Sequence, residues 1–330
     1  MKIDLVRSPE LLLGVNRLET APEGVAVRRF PEERETGAAI RRYMVRCSAG
    51  CRVAGVSDAE RIRMEFLVPP PFYSCYEGRI DVTVAGVPGV RSFVLPASAP
   101  KAPPQPLVVE FPLPRAASEG SAFTVWLPVQ REAVFVSGEA VGASFLRPLP
   151  DRGEGILFVG DSITQGFFGA PAGVWNAVIA RAVDRDFVNL GIGGEQLAEE
   201  SADSAAGFAW RDAVIAFGVN DCNGRRDLGD FRKAFRGLCG KLAGDPRRRI
   251  LVLTPLPWPA GYRAGRREEL ARYREALADE AAGMRGVSVV GGETLLPESA
   301  EFFEDGCHPN AAGMKRIAER LMPHFRRVEA

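Results

Sequence analysis

The segment ILFVGDSITQG, residues 156–166, contains a serine that follows a short apolar run by three residues. The first four residues are all apolar, as in a parallel strand that is buried on both faces. A residue just beyond such a strand lies at the carboxyl edge of the sheet, where open α/β folds bind their ligands. Ser162 is therefore a candidate nucleophile, and the alternative is an ordinary strand-to-helix turn with a helix N-cap.

The chain downstream of this serine alternates short apolar runs with amphipathic stretches, a rhythm that predicts a parallel sheet covered by helices. The predicted strands are residues 156–159, 187–190, 213–217, 250–253 and 287–290. The predicted helices are residues 174–183, 228–242, 266–282 and 311–322. In the last helix Met314, Ile317 and Leu321 recur at three- and four-residue spacing, which marks a face turned to the core.

The chain upstream of the serine has a different rhythm. From about Arg41 to Gly142, apolar and polar residues alternate in short runs that Gly and Pro residues separate. Such alternation is typical of half-buried antiparallel strands. The runs that show it best are residues 62–66, 80–84 and 123–127. We therefore expect residues 1–150 to form an all-β sandwich or jelly-roll domain and residues 151–330 to form an α/β domain.

Composition narrows the class of protein and its partners. The 330-residue chain has 42 basic and 42 acidic residues, so no net charge attracts it to nucleic acid or to an anionic membrane. No apolar run reaches the ~18 residues of a membrane helix, and charges near the amino terminus argue against a secretory signal. Six cysteines are too few for a disulfide scaffold, which predicts reduced thiols in a cytoplasm. Cys47 and Cys51 have no histidine near them, so we expect no metal site there.

Only two histidines are available as the base that a serine nucleophile requires. His324 lies at the end of the last predicted helix and is expected at the surface or in packing. His308 lies in DGCHPN, residues 305–310, whose Pro and Asn suit the entry to that helix. We therefore expect His308 on the same sheet edge as Ser162. Asp305 is close enough in sequence to orient the imidazole.

Two further strand ends supply candidate donors for the oxyanion that forms when a carbonyl is attacked. The second strand is followed by NLGIGGE, residues 189–195, where glycine lets the backbone approach a ligand closely. The third strand is followed by GVND, residues 218–221, in which the Asn220 carboxamide is another donor. Glycine at these places also fits plain turn chemistry, and neither a Walker P-loop nor a full G-x-G-x-x-G motif is present.

These four segments together resemble the SGNH hydrolases, also called the GDSL esterase and lipase family, over roughly residues 155–325. GDS at 160–162 resembles the nucleophile block, Gly194 the oxyanion glycine, GVND at 218–221 the G-x-N-D block, and DGCH at 305–308 the D-x-x-H block. The blocks follow one another in the family's order. The resemblance implies a flavodoxin-like three-layer sandwich with a five-stranded parallel sheet, and it implies no cofactor.

The resemblance also implies a role for each site residue. The implied roles are Ser162 as nucleophile, His308 as base, Asp305 as its orienting partner, and the Ser162 amide, the Gly194 amide and the Asn220 side chain as oxyanion hole. Gly193 is an alternate to Gly194, because the second block is the least constrained of the four.

The first half resembles, around residues 125–128, the β-sandwich domain that precedes the catalytic domain in some carbohydrate-directed SGNH esterases. That domain either helps to shape the substrate site or serves packing or homo-oligomerisation. The sequence thus predicts a serine esterase that removes an O-acetyl or other short acyl group from a carbohydrate or small metabolite. An acyltransferase is the alternative, since water and an alcohol compete for the same acyl-enzyme. A non-catalytic carbohydrate-binding protein, the third possibility, has no need of the three catalytic side chains together.

Several aromatic residues lie in segments that could reach the catalytic rim, where they would contact substrate, or else fill the core. They are Phe167, Phe168, Trp258, Tyr262, Phe302 and Phe303. We expect at least half of them in the core. Cys222 and Cys307 adjoin the predicted site, and we expect them to serve packing rather than chemistry.

Overall fold

The computed structural model describes residues 1–95, 98–114 and 119–325, and the chain divides into two compact units. Unit 1 comprises Met1–Asp151 with Ala170–Ala172, and unit 2 comprises Arg152–Gly169 with Gly173–Ala330. Residues 326–330, the end of the predicted α/β domain, lie outside the described residues. Unit 1 is built mainly of antiparallel strands, whereas unit 2 alternates parallel strands with helices.

Unit 1 contains two antiparallel sheets. Its strands are β1 (Lys2–Ile3), β2 (Leu12–Leu13), β3 (Arg17–Ala21), β4 (Gly24–Arg28), β5 (Arg52–Ser57), β6 (Arg61–Val68), β7 (Gly78–Val84), β8 (Arg91–Leu95), β9 (Gln105–Pro112), β10 (Ser121–Trp126), β11 (Val134–Val141) and β12 (Leu146–Arg147). One sheet has the order β3-β4-β11-β6-β9, with β1 paired to β11. The other has the order β12-β5-β10-β7-β8, with β2 paired to β5.

One apolar cluster draws side chains from both sheets of unit 1. Ile62 and Phe66 of β6 enter it from the first sheet, and Ile80 of β7 and Phe123 of β10 enter it from the second. Buried and half-buried residues alternate along β6, as the period-two pattern predicts. The all-β sandwich is thereby confirmed, while the jelly-roll order of its strands stays a prediction.

One helix interrupts the region in which the alternating pattern predicts strands. The alternating pattern predicts strands from about Arg41 onward. This prediction is wrong for the first residues of the region, which belong to helix α1 (Ala39–Arg46). Ile40 and Met44 stand four residues apart, which is the spacing of one helix face. Met44 and Val45 of this helix are buried. The short apolar face of α1 is thus stabilised by packing.

Unit 2 is built on a parallel sheet of five strands in the order β14-β13-β15-β16-β17. The strands are β13 (Gly155–Gly160), β14 (Phe187–Gly191), β15 (Trp210–Ala216), β16 (Arg249–Leu253) and β17 (Val287–Val290). The helices are α2 (Ser162–Gln165), α3 (Trp175–Ala182), α4 (Val219–Asn223), α5 (Leu228–Leu242), α6 (Arg267–Ala282), α7 (Gly292–Leu295) and α8 (Ala311–Leu321). The predicted flavodoxin-like α/β fold is confirmed. Among the described helices, none combines the length and the apolar character that a membrane span requires.

Two glycines let helix α2 lie directly on the ends of the central strands. A Cβ atom on Gly160 would lie 2.1 Å from Thr164 Oγ1, and one on Gly191 would lie 2.2 Å from the Gln165 nitrogen. Neither distance leaves room for a side chain. This close approach holds the first residue of α2, Ser162, at the carboxyl edge of the sheet.

Candidate active site

Ser162 is fixed by the turn from β13 into α2. The side chain of Asp161 caps α2 by accepting a hydrogen bond from the Ile163 amide at 2.9 Å. Helix α2 has only four residues, so most of its carbonyl groups need partners from elsewhere. Two buried side chains of α3 supply them: Trp175 Nε1 donates to the Ile163 carbonyl at 2.9 Å, and Asn176 Nδ2 donates to the Thr164 carbonyl at 2.8 Å. The serine therefore stands on a rigid turn.

The loop before α8 brings a histidine and an aspartate to this serine, as the sequence predicts. His308 Nε2 lies 2.8 Å from Ser162 Oγ, and His308 Nδ1 lies 2.8 Å from Asp305 Oδ2. With its proton on Nδ1, the imidazole donates to Asp305 and accepts from the serine hydroxyl. The loop itself is fixed because Asn310 caps α8 and the Glu304 amide donates to the His308 carbonyl at 2.9 Å. Residues 146 positions apart thus form one hydrogen-bonded chain.

Asp305 is an ionised acceptor in this chain of groups. Its Oδ1 atom accepts the amides of Cys307 at 3.0 Å and His308 at 2.8 Å, while Oδ2 faces the imidazole. Partial burial raises the pKa of Asp305, but the hydrogen bonds and positive charge of His308 outweigh burial and hold that pKa well below its usual range. Asp305 therefore keeps its negative charge at neutral pH and stabilises a proton on the imidazole.

Two phenylalanines from the segment after α2 enclose the imidazole. The Phe167 ring stacks on the His308 ring with centroids 5.1 Å apart, and the Phe168 ring meets it edge-on at 5.5 Å. Phe168 has a φ of +62°, which is unusual for a residue with a side chain. Strained backbone of this kind persists where surrounding packing enforces it. Here it holds an aromatic edge against the imidazole.

The predicted oxyanion donors lie on the two neighbouring strand ends. The loop after β14 is tied to the site because the Ile192 amide donates to the Gly160 carbonyl at 3.0 Å. The Gly193 amide donates to Gln165 Oε1 at 2.8 Å, so this amide is already used. Gly194 is exposed, with a φ of +79°, and its amide meets no acceptor among the described residues. This difference favours Gly194 over Gly193 as the donor.

The Asn220 carboxamide completes this group of donors. Its Nδ2 atom donates to the Glu195 carbonyl at 3.0 Å, a contact that orients the amide toward the loop after β14. An amide nitrogen carries two hydrogens, so one is still available for a ligand. The left-handed φ of +116° at Gly218 turns the chain sharply from β15 into α4 and sets the position of Asn220.

Two buried carboxyl groups lie behind the nucleophile, and sequence reasoning assigned neither a role. Burial raises the pKa of Asp161 to about 7, with a further contribution from the negative charge of Asp221. Burial also raises the pKa of Asp221, although Arg226 and the Leu197 amide bond to it. Both aspartates lie in the sequence blocks that resemble those of the SGNH hydrolases. Their burial in the structure indicates that they support the fold around the site.

Gln165 is a second residue that sequence reasoning missed. Its side chain is completely buried and holds the Gly193 amide, while its carbonyl accepts a hydrogen bond from Asn189 Nδ2 at 3.3 Å. It therefore links the helix of the nucleophile to the loop of the oxyanion donors. A polar residue three positions after the serine is a weak sequence signal, since such a position also suits an exposed helix face.

The aromatic and sulfur-containing residues near the site are mostly packed. Phe167, Trp258 and Phe303 are buried, whereas Phe168, Tyr262 and Phe302 are half-buried. Burial raises the pKa of Cys222 to about 11 and that of Cys307 to about 12, so both thiols stay protonated at neutral pH. Within the described ranges no group of three or more His, Cys, Asp or Glu residues is placed to hold a metal ion. His324 is exposed, which is one of the two placements that the sequence predicts.

Comparisons with known proteins relate the chain to a protein family and to several solved structures. Residues 158–316 match the model of the GDSL-like lipase/acylhydrolase family. No curated protein matches the chain significantly. Among solved structures, the chain is similar to the salicylyl-acyltransferase SsfX3 from a tetracycline biosynthetic pathway, with 20% identity over 95% of this chain and 94% of that chain and a TM-score of 0.79.

Two further solved structures share the fold. A candidate GDSL-like lipase from Bacteroides ovatus is 20% identical over 96% of this chain and 94% of that chain, with a TM-score of 0.72. A family two carbohydrate esterase from Clostridium thermocellum, in complex with cellohexaose, is 16% identical over 95% of this chain and 98% of that chain, with a TM-score of 0.63. At these identities the likeness concerns the fold, and the family assignment rests on the matched segment. Residues 158–316, which match the GDSL-like lipase/acylhydrolase family model, contain all of the predicted site residues.

Proposed function

We propose that the chain is a serine esterase that hydrolyses a carboxylic ester through an acyl-enzyme on Ser162. One observation carries the proposal: the Ser162 hydroxyl, the His308 imidazole and the Asp305 carboxylate are joined by two hydrogen bonds of 2.8 Å each. This order of nucleophile, base and orienting acid activates a serine for attack on a carbonyl.

In the acylation step, Ser162 Oγ attacks the ester carbonyl carbon while His308 Nε2 accepts the hydroxyl proton. Negative charge moves to the carbonyl oxygen, where the amides of Ser162 and Gly194 and the Asn220 side chain donate hydrogen bonds. The intermediate then collapses, the bond to the alcohol breaks, and His308 returns its proton to the departing oxygen. Asp305 stabilises the imidazolium throughout.

In the deacylation step, water takes the place of the alcohol. His308 accepts a proton from the water as it attacks the acyl carbonyl, and then returns this proton to Ser162 as the carboxylic acid leaves. No metal or organic cofactor takes part in this scheme. An alcohol that enters in place of water gives acyl transfer, and the structural likeness to a salicylyl-acyltransferase makes this the second candidate.

The proposed substrate is an O-acetyl or other short acyl ester of a carbohydrate or small metabolite. The likeness to a carbohydrate esterase that was solved with cellohexaose supports the carbohydrate, and it extends over 95% of the chain. Unit 1, a β-sandwich, is proposed to contribute to substrate recognition or to homo-oligomerisation. Nucleic acid is not among the proposed partners, because basic and acidic residues balance.

The proposal is tested by the hydrolysis of 4-nitrophenyl acetate by Ser162→Ala and His308→Asn. Each substitution removes a group that acts in the transition state, so kcat/KM should fall on the order of 10⁴-fold. The chain offers a matched control in His324→Asn, since His324 is the only other histidine and is exposed. This control should retain wild-type turnover.

Covalent labelling gives an independent measurement. A fluorophosphonate should modify wild-type protein at Ser162, and a quenched reaction with ester should leave an acyl group on the same residue, both located by mass spectrometry. Wild-type turnover by Ser162→Ala, or labelling only at another residue, would contradict the proposal. A panel of acetyl to octanoyl esters and acetylated sugars, with and without alcohol acceptors, then separates hydrolysis from transfer and short from long acyl groups.

A further inference from the structure

An exposed arginine stands at the edge of the site just described. Arg263 lies in the loop between β16 and α6, and it has a left-handed backbone with a φ of +46°. Its guanidinium carbon lies 5.5 Å from the centre of the Tyr262 ring and 5.8 Å from that of Trp258. Stacking on aromatic faces orients a guanidinium while leaving its N–H groups exposed.

One side of Arg263 contacts the helix that carries an oxyanion donor. Arg263 Nη1 donates to the Asn223 side-chain oxygen. Asn220 and Asn223 are three residues apart on α4, so they lie on one face of this helix within about one turn. The hydrogen-bond partner of Arg263 is therefore about one helical turn from Asn220 along α4.

The other side of Arg263 adjoins the loop that carries the base. The Tyr262 ring packs so tightly on Gly306 that a Cβ atom there would lie 2.6 Å from the ring. Burial raises the pKa of Cys307, and the positive charge of Arg263 opposes that rise, which places the charge near the residue before His308. Arg263 thus lies between helix α4, which carries Asn220, and the loop that carries His308.

The charge of Arg263 is not balanced by a neighbouring acid. Arg266 forms two 2.7 Å hydrogen bonds with Glu269, and Arg267 pairs with Glu298 at 2.9 Å. Arg263, by contrast, forms no ion pair with any carboxylate of the described ranges. The two arginines that follow it in this segment both have a carboxylate partner, so the unpaired charge of Arg263 beside the site indicates that its counter-charge comes with the ligand.

We propose that Arg263 binds a carboxylate or phosphate on the alcohol portion of the ester, so that the enzyme prefers anionic substrates. The inference rests on the proposed esterase function and names its substrate class. The alcohol side is assigned because His308 protonates the departing alcohol, which must therefore lie toward the histidine loop that Tyr262 contacts. The planar guanidinium forms paired hydrogen bonds with either anion.

A pair of isosteric esters measures this preference. 4-Acetoxybenzoate and 4-acetoxybenzamide carry the same acetyl group and differ in the charge of the alcohol portion. The quantity to compare is the ratio of their kcat/KM values in wild type, Arg263→Gln and Arg263→Lys. Intrinsic differences in ester reactivity cancel, because every protein meets the same two esters. A third ester, 4-acetoxyphenyl phosphate, distinguishes a phosphate from a carboxylate preference.

The ratio should fall at least about tenfold in Arg263→Gln and to an intermediate value in Arg263→Lys, which keeps the charge without the planar fork. In wild type the ratio should also fall as salt rises from about 0.05 to about 0.5 M, on the basis of ionic screening. The matched control is Arg285→Gln, at the exposed amino end of β17 and thus at the opposite sheet edge. This control should keep the wild-type ratio.

Equal ratios in wild type and Arg263→Gln would overturn the inference while leaving the esterase function intact. Absence of turnover on every ester, together with absence of acylation at Ser162, would instead contradict the proposed function. In that case calorimetric binding of the product 4-hydroxybenzoate still decides the role of Arg263. Binding that is at least about tenfold weaker in Arg263→Gln supports the inference, and equal binding overturns it.

Discussion

Replacing Asp161 with Asn should stabilise the protein at alkaline pH and have no such effect in acid. Asp161 is 2% exposed, and its carboxyl accepts one amide hydrogen bond, from Ile163 at 2.9 Å. Burial, with a contribution from the charge of Asp221, raises its pKa from an ordinary 3.8 to about 7. Asn keeps an acceptor oxygen for the same amide and is equally suited to the N-cap position.

The sign and size of the effect follow from proton linkage. Folded protein holds the Asp161 proton up to about pH 7, whereas the unfolded chain loses it near pH 4, so the free energy of unfolding decreases as the pH rises between these values. About three pH units at ~1.4 kcal/mol per unit give an upper bound of ~4 kcal/mol at pH 8. The carboxamide of Asp161→Asn does not titrate, so the variant escapes this loss.

Urea unfolding of wild type and Asp161→Asn between pH 4 and 8 measures the effect. Tryptophan fluorescence is a suitable probe, since three of the four tryptophans, Trp175, Trp210 and Trp258, lie in unit 2. The two proteins should be equally stable at pH 4, and the variant should be more stable by roughly 2–4 kcal/mol at pH 8. All other titrating groups are common to both proteins. A difference that does not change with pH, or a more stable wild type at pH 8, would refute the reasoning.

Two further predictions concern one residue in each unit. The hydrogen bonds of Arg28 lower the pKa of Glu19 from 4.5 to about 2, so its stabilisation is present above pH 4.5 and is lost as the pH falls toward 2. Glu19→Gln should therefore lower the free energy of unfolding by about 2 kcal/mol at pH 7, allowing for partial exposure, and have almost no effect at pH 2. In acid titrations followed by circular dichroism, the stabilities of the two proteins should converge as the pH falls. Gln165→Met leaves the Gly193 amide without its acceptor, so kcat for ester hydrolysis should fall about tenfold or more with little change in KM. An unchanged kcat would show that the hydrogen bond from Gly193 to Gln165 does not position the loop that carries Gly194.

The sheet of unit 2 was predictable because each of its strands contains a short run of mostly apolar residues. Helix α5 and strand β17 have the predicted bounds. Strand β15, however, begins at Trp210, three residues before the predicted 213–217, because charged residues interrupt the apolar run there. One of these, Asp212, is buried and paired with Arg185 and with Arg249, the latter at 2.6 Å. A strand that buries an acid through ion pairs cannot be recognised from local hydrophobicity.

The short helices mark another limit of sequence reasoning. Helices α2, α4 and α7 have five residues or fewer, so none completes the two turns over which a helical period becomes visible. Yet α2 and α4 carry Ser162 and Asn220. The reacting residues could be named from chemistry and from their place after a strand. Their supports, such as the contacts of Trp175 and Asn176 with α2, come from a separate helix and depend on tertiary packing.

Two aspartates near the His308 imidazole differ in protonation state because their environments differ. Asp305 has an exposed side chain and receives His308 Nδ1 and two backbone amides, which keep it ionised. Asp161 is enclosed and receives a single amide, so it binds a proton near neutral pH. Below about pH 7 the negative charge that stabilises the imidazolium therefore comes from Asp305, on the side away from the serine. Burial of Asp161 thus confines its negative charge to pH values above about 7, while its side chain still caps α2.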